Sequence, residues 1–302
     1  MSHEIPYRVL LAVDGSVHAN RAAQYLADYG ATFGVREIVV LYVPVQPAES
    51  FPTHAPDGKE ISVDITDLAK KATAEACRIL HAAHLPYALD TELGDPAEII
   101  IRAADAEHID EIVMGSRGMA RWTGLALGSV AYKVIHRVAI PVTIVDTPEQ
   151  EAKLRATKPS DVHRILLAVD GSDHASRAVD YVCKLRDARD LLEVELLNVP
   201  PPIPQGYAPT LLNQEMITSR HHEAGESALR TASDLLHAAG VKFNPHIVPG
   251  HPAEKIVELA EKHDCTRIVI GTRGLGLVTD LVLGSVAYKV LHLSPIPVTL
   301  VK

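Results

Sequence analysis

Apolar positions in the first half of the chain change period several times, and each change marks an element. Residues 9–13 read V-L-L-A-V, a continuous apolar run closed by Asp14-Gly15-Ser16. Such a run suits a strand buried on both faces of a parallel sheet. Ser16 stands where it can cap a helix starting at Val17 and running to about Thr32. Residues 37–43 form a second apolar run, followed by a proline-containing loop over residues 44–59. Ile65, Leu68, Ala72, Ala76 and Ile79 then recur at helical spacing and predict an amphipathic helix to about His84. Tyr87–Thr91 reads as a short strand. Asp95-Pro96-Ala97-Glu98 is a complete helix start, with an N-cap acid, proline at the first position and an acid at the third. Residues 109–114 predict a fourth strand, Ser129–Arg137 a helix whose last turn carries His136 and Arg137, and residues 141–146 a fifth strand.

The second half repeats the first at a constant offset. R-V-L-L-A-V-D-G-S at residues 8–16 returns as R-I-L-L-A-V-D-G-S at residues 164–172. Val43 and Val199, Gly94 and Gly250, Tyr132 and Tyr288, and Pro141 and Pro297 keep the same spacing. A period this long is a domain duplication, since each half can bury a core of its own. The predicted architecture is α/β: two tandem doubly wound, Rossmann-like domains, each a five-stranded parallel sheet with helices on both faces. The expected boundaries are residues 1–146 and 163–302, with residues 147–162 as a polar linker. The last strand of each half is apolar and would lie at a sheet edge, a liability unless paired. The two halves are therefore expected to pair internally through these strands, as a pseudo-twofold unit.

Composition narrows the function. The 302 residues carry a net charge of −9, a poor match to a nucleic-acid binder, which needs a basic stripe. Cys77, Cys183 and Cys265 form no C-x-x-C and read as reduced, buried thiols. No run of 18 apolar residues predicts a membrane span, and the first eight residues have no apolar signal core. A cytoplasmic protein is expected.

The candidate chemistry lies in a duplicated glycine signature. Residues 115–129 read G-S-R-G-M-A-R-W-T-G-L-A-L-G-S, and residues 271–285 read G-T-R-G-L-G-L-V-T-D-L-V-L-G-S. Both fit G-x-x-G, nine residues, then G-S. Each follows a strand and precedes a helix, the sequence form of a backbone loop that holds phosphates near a helix N-terminus. Gly115 and Gly118 would allow close approach of a ligand and positive φ. Gly128 and Ser129 open the next helix, where free N–H groups face an anion. Asp14 and Asp170 either accept hydrogen bonds from a nucleoside or only shape an Asp-Gly turn. Arg117 and Arg273 either pair with phosphate or are solvated loop charges. His18 and His174 lie near the site or on the surface, the surface being the commoner place. No Walker A lysine, G-x-S-x-G elbow or metal-ligating group is evident, so no catalytic residue and no metal site are assigned.

On these residues the chain resembles the universal stress protein family in its tandem form. The resemblance rests on G-x-x-G-x9-G-[ST] together with V-D-G-S on the first strand, and it covers nearly all of both halves. It implies the ATP-binding branch in each half. Asp14 and Val43 would then sit at the adenosine, and the glycine loop with Ser129 at the phosphates. The full candidate set in the first half is Val13, Asp14, Val43, Met114, Gly115, Arg117, Gly118, Gly128, Ser129 and Val130. In the second it is Val169, Asp170, Val199, Ile270, Gly271, Arg273, Gly274, Gly284, Ser285 and Val286. The ligand implied is ATP, or ADP or AMP, with or without Mg2+. A nucleotide-dependent regulatory or stress-response protein is the leading reading. A slow ATPase or phosphotransferase comes second, because hydrolysis needs a positioned base or water-orienting group that the sequence does not supply. A structural scaffold comes third, against two intact loops. The expected partners are an adenine nucleotide and an unidentified regulatory protein, with neither nucleic acid nor membrane, and whole chains could pair further into dimers. The loops over residues 44–59 and 200–215 differ strongly, so equal affinity at the two sites is not implied.

Overall fold

The computed structural model describes residues 7–31, 34–44, 65–118, 127–146, 162–185, 192–200, 211–275 and 283–302, without the side chains of 211–222 and 224. The predicted linker, apart from Val162, and most of both long loops lie outside the described residues. So does the middle of each glycine signature.

The first half runs β1 (Tyr7–Val13), α1 (Val17–Tyr29), β2 (Val35–Tyr42), α2 (Ile65–Ala82), β3 (Tyr87–Thr91), α3 (Pro96–Ala106), β4 (Glu111–Gly115), α4 (Ser129–Arg137) and β5 (Val142–Val145). The second runs β6 (His163–Ala168), α5 (Asp173–Lys184), β7 (Leu192–Asn198), α6 (Leu211–Ala238), β8 (Lys242–Ile247), α7 (Pro252–Lys262), β9 (Arg267–Gly271), α8 (Ser285–Leu293) and β10 (Val298–Val301). Strand follows helix as the periodicity predicts. Helix α1 ends at Tyr29, short of the expected Thr32, with Gly30 as its C-cap. Residues 211–215, expected in the loop, belong to α6, which is 28 residues long against 18 for α2.

The ten strands among the described residues form one sheet in the order β3-β2-β1-β4-β5-β10-β9-β6-β7-β8. Pairing is parallel within each half, and β5 meets β10 antiparallel. Each central strand is apolar on both sides because both sides are covered. Leu10, Ile112 and Ile144 face α3 and α4, whereas Val9, Leu11 and Val113 face α1 and α2. These two apolar layers run on into the second half through Leu166 and Ile268 on one face and Ile165 and Leu167 on the other. Cys265 is buried in this core, but Cys77 and Cys183 are only half-buried, so the expectation of three buried thiols holds for one.

The seam between the halves is polar at its centre. β5 and β10 pair symmetrically about Thr143 and Thr299, whose hydroxyls are 2.6 Å apart. Glu111 and Arg267, also 156 residues apart, form a buried ion pair beside them. Tyr7 and Tyr181 each donate to Glu111 Oε2 at 2.9 Å. Burial pushes both phenols well above their usual pKa, so they remain donors. The Arg267 guanidinium donates from Nε to Thr299 and lies 5.3 Å from the Tyr181 ring centroid. The two halves thus place opposite charges at equivalent positions. A contact between two first halves would bury two glutamates, and one between two second halves two arginines. Unlike halves alone satisfy the seam.

The duplicated helix starts at residues 95–98 and 251–254 differ in their caps. Asp95 accepts from Ala97 N–H at 2.9 Å and Glu98 N–H at 3.2 Å, and Lys133 holds its other oxygen. His251 makes no side-chain cap bond. Replacing His251 with Asp is expected to stabilise the chain by about 1 kcal/mol. Asp95→Ala is expected to cost a similar amount, measured by denaturant unfolding. The hydrogen bond from Lys133, with those from the helix N–H groups, lowers the Asp95 pKa. Its contribution is present near neutral pH and fades as acid protonates the carboxylate.

Candidate functional site

In the second half, the carboxyl ends of β6, β7 and β9 and the starts of α5, α7 and α8 surround a cavity of about 230 Å³. All ten second-half candidates line it: Val169, Asp170, Val199, Ile270, Gly271, Arg273, Gly274, Gly284, Ser285 and Val286. They come from four separate stretches of sequence. The position fits a parallel α/β sheet, in which β6 lies between β7 and β9 and the chain's direction of winding changes.

The sequence reading missed Ala175, Leu197, Pro252, Ile256, Thr272 and Leu275 on the same wall. A signal for Pro252 was available. The helix start at residues 251–254 follows a strand, so its first turn must lie on the ligand side of the sheet.

Asp-Gly-Ser builds one wall by local hydrogen bonding. Asp14 Oδ1 accepts from Ser16 N–H at 2.9 Å, and Asp170 Oδ1 from Ser172 N–H at 3.0 Å. The turn requires Gly15 and Gly171 at φ +86° and +83°, where an L side chain is strained. Ser16 and Ser172 then cap α1 and α5, each accepting an N–H at 3.2 Å. The turn reading of these aspartates is therefore correct for one oxygen. The other oxygen faces the glycine loop, where Asp170 Oδ2 accepts from Leu275 N–H at 3.1 Å.

The loop glycines serve close approach, and the expected positive φ at Gly115 and Gly118 is not found. A Cβ on Gly115 would lie 2.6 Å from the Cβ of His18, and one on Gly118 would lie 2.5 Å from Asp14 Oδ2. Gly271 and Gly274 make the same approaches to His174 and Asp170. The chain then returns to the strand end: Gly128 N–H donates to Ser116 O at 2.7 Å, and Gly284 N–H to Thr272 O at 2.8 Å. Gly128 and Gly284 are the N-caps of α4 and α8 and provide no side-chain cap. Ser129 and Ser285 are the first residues of those helices. Their helix starts present N–H groups with no cap side chain in front, a favourable setting for an anion.

In the first half, Val13, Val43 and Met114 are buried around the corresponding strand ends, and Val130 is half-buried on α4. Arg117 is partly exposed and already paired: its Nη2 lies 3.3 Å from Asp146 Oδ2. His18 Nδ1 lies 3.2 Å from Asp146 Oδ1, and Arg21 donates to the Asp146 carbonyl. His18 is thus half-buried against Gly115 and Asp146. The equivalent of Asp146 is Lys302, which donates to the carbonyl of His136 in the first half. His174 meets Thr272 Oγ1 at 3.2 Å, and burial, with Arg177 and Arg273 alongside, lowers its pKa. The two halves therefore differ in the charged residues at this wall.

Known proteins share this fold. The model of the universal stress protein family matches residues 7–146 and again residues 161–302, and the chain belongs to this family, with its domain present twice. A universal stress protein of Mycobacterium tuberculosis is 25% identical over 308 residues, covering 96% of this chain and 95% of the relative. One from Methanocaldococcus jannaschii is 32% identical over 139 residues, 46% of this chain and 81% of the relative. The crystal structure of a universal stress protein from Archaeoglobus fulgidus matches with a TM-score of 0.67 at 27% identity, covering 98% of this chain and 96% of that one. Among the described residues, no helix is long and apolar enough to cross a membrane.

Proposed function

We propose that each half binds one adenine nucleotide at the carboxyl edge of its sheet, and that the chain is a nucleotide-dependent regulator of a stress response. The observation that carries this reading is the convergence of all ten second-half candidates on one cavity. Asp170 and Val199 would face the nucleoside. Gly271, Gly274, Gly284 and Ser285 would hold the phosphates through backbone N–H groups and the serine hydroxyl, with Arg273 as a charged partner. Asp14, Val43, Gly115, Gly118, Gly128 and Ser129 would do the same in the first half. There Asp146 engages Arg117, and Lys302 takes the place of Asp146 in the second half, so the two affinities are expected to differ. The units are residues 1–146 and 163–302.

Binding is favoured over turnover by the state of the carboxylates. Both oxygens of Asp170 accept backbone N–H bonds, so the group holds the loop instead of being poised to take a proton from water. Heat release of nucleotide from freshly purified protein, identified by mass, tests the reading. ATP is the expected product. ADP or AMP in its place would favour the hydrolytic alternative.

A further inference from the structure

Away from the nucleotide cavity, the second half carries a cluster with no counterpart among the described residues of the first half. Glu195 on β7 is buried, its side chain 3% exposed, between the buried Val194 and Leu196. The equivalent residue in the first half is Val39, a core position. His246 on β8 and His263, the C-cap of α7, converge on Glu195, and their counterparts Asp90 and Glu107 could not supply imidazoles. His246 Nε2 lies 2.5 Å and His263 Nδ1 3.4 Å from Glu195 Oε2, and one donor atom of each residue lies within 4.8 Å of the others. Asn244 donates to the second carboxylate oxygen at 3.1 Å.

The geometry points to a metal site for Zn2+ or a similar borderline divalent cation, ligated by Glu195, His246 and His263. Zn2+ takes imidazole and carboxylate ligands at about 2.0–2.2 Å, so tetrahedral ligands lie about 3.4 Å apart. The Glu195–His263 separation already has this value, and His246 needs to withdraw by less than 1 Å. Two imidazoles and one carboxylate suit a borderline cation better than Mg2+ or Ca2+, which take oxygen ligands. Asn244 orients the carboxylate from outside, as second-shell groups do. The two histidine side chains are 23% and 27% exposed, leaving room for water as a further ligand and a path of entry. The ion would tie β7, the sheet's outer strand β8 and the end of α7 together. This inference does not rest on the nucleotide reading.

The test is equilibrium dialysis of the metal-free, nucleotide-free full chain against Zn2+, followed by atomic absorption. One tightly bound Zn2+ per chain is expected. His246→Gln and His263→Gln should each remove it, and Asn244→Ala should weaken it by about 10–100-fold. Melting in the absence of metal confirms that each variant is folded. Co2+ in the unmodified chain should give the strong visible absorption of a four- or five-coordinate site, a readout that needs no variant. No tight Zn2+, Zn2+ retained by both histidine variants, or the weak spectrum of six-coordinate Co2+ would overturn the assignment.

Discussion

Glu111→Arg is expected to lower the melting temperature by on the order of ten degrees, and adding Arg267→Glu is expected to recover much of the loss. Glu111 and Arg267 are buried opposite each other at the seam between the halves, enclosed by Tyr7, Tyr181, Thr143 and Thr299. Removing one partner of such a pair costs about 3–5 kcal/mol, because the other charge stays buried without compensation. That is a large share of the roughly 5–15 kcal/mol by which a folded domain is stable. Arginine in place of Glu111 adds repulsion between two guanidinium groups and strips the tyrosine hydroxyls of their acceptor. The double exchange restores opposite charges across a seam that is nearly symmetric around Thr143 and Thr299. The hydroxyl groups stay with their own halves, so recovery is expected to be partial. Equal melting temperatures for the single and double variants would show that charge complementarity does not select the pairing of unlike halves.

Gly118→Val and Gly274→Val are each expected to abolish one nucleotide site and leave the other. Any side chain at Gly118 meets Asp14 Oδ2, and one at Gly274 meets Asp170 Oδ2. The carboxylate cannot give way freely, since its other oxygen holds the Asp-Gly-Ser turn. The loop must therefore move outward, taking the backbone N–H groups with it. The strand cores beneath are untouched, so stability should change less than binding. Gly274→Val and Gly118→Val should each remove one phase of an ATP titration and leave the other. Retention of both phases in both variants would contradict the assignment of the loops.

The fold was largely legible because buried parallel strands write themselves as unbroken apolar runs, as in residues 9–13, and because the second copy repeats each signal. Ser129–Arg137 and Tyr87–Thr91 fall where the pattern places them. Pairing of β5 with β10 followed from two apolar edges in one chain. The loop glycines were found for an incomplete reason: they accommodate His18 and Asp14, tertiary neighbours that spacing alone does not reveal. Glu111 and Arg267 stand at the starts of β4 and β9, where solvent is the ordinary surrounding of a charge. Only the seam makes them a buried pair. Glu195, His246 and His263 come from a strand, its neighbour and a helix end, with no shared spacing to betray them. The second-half candidates converged because each sits at a strand end or helix start, and the topology brings those ends together.

The most direct test of the central claim is equilibrium titration of the nucleotide-free full chain with ATP, read as stoichiometry. The account predicts saturation approaching two nucleotides per chain. No binding of ATP, ADP or AMP by protein shown to be folded would contradict it.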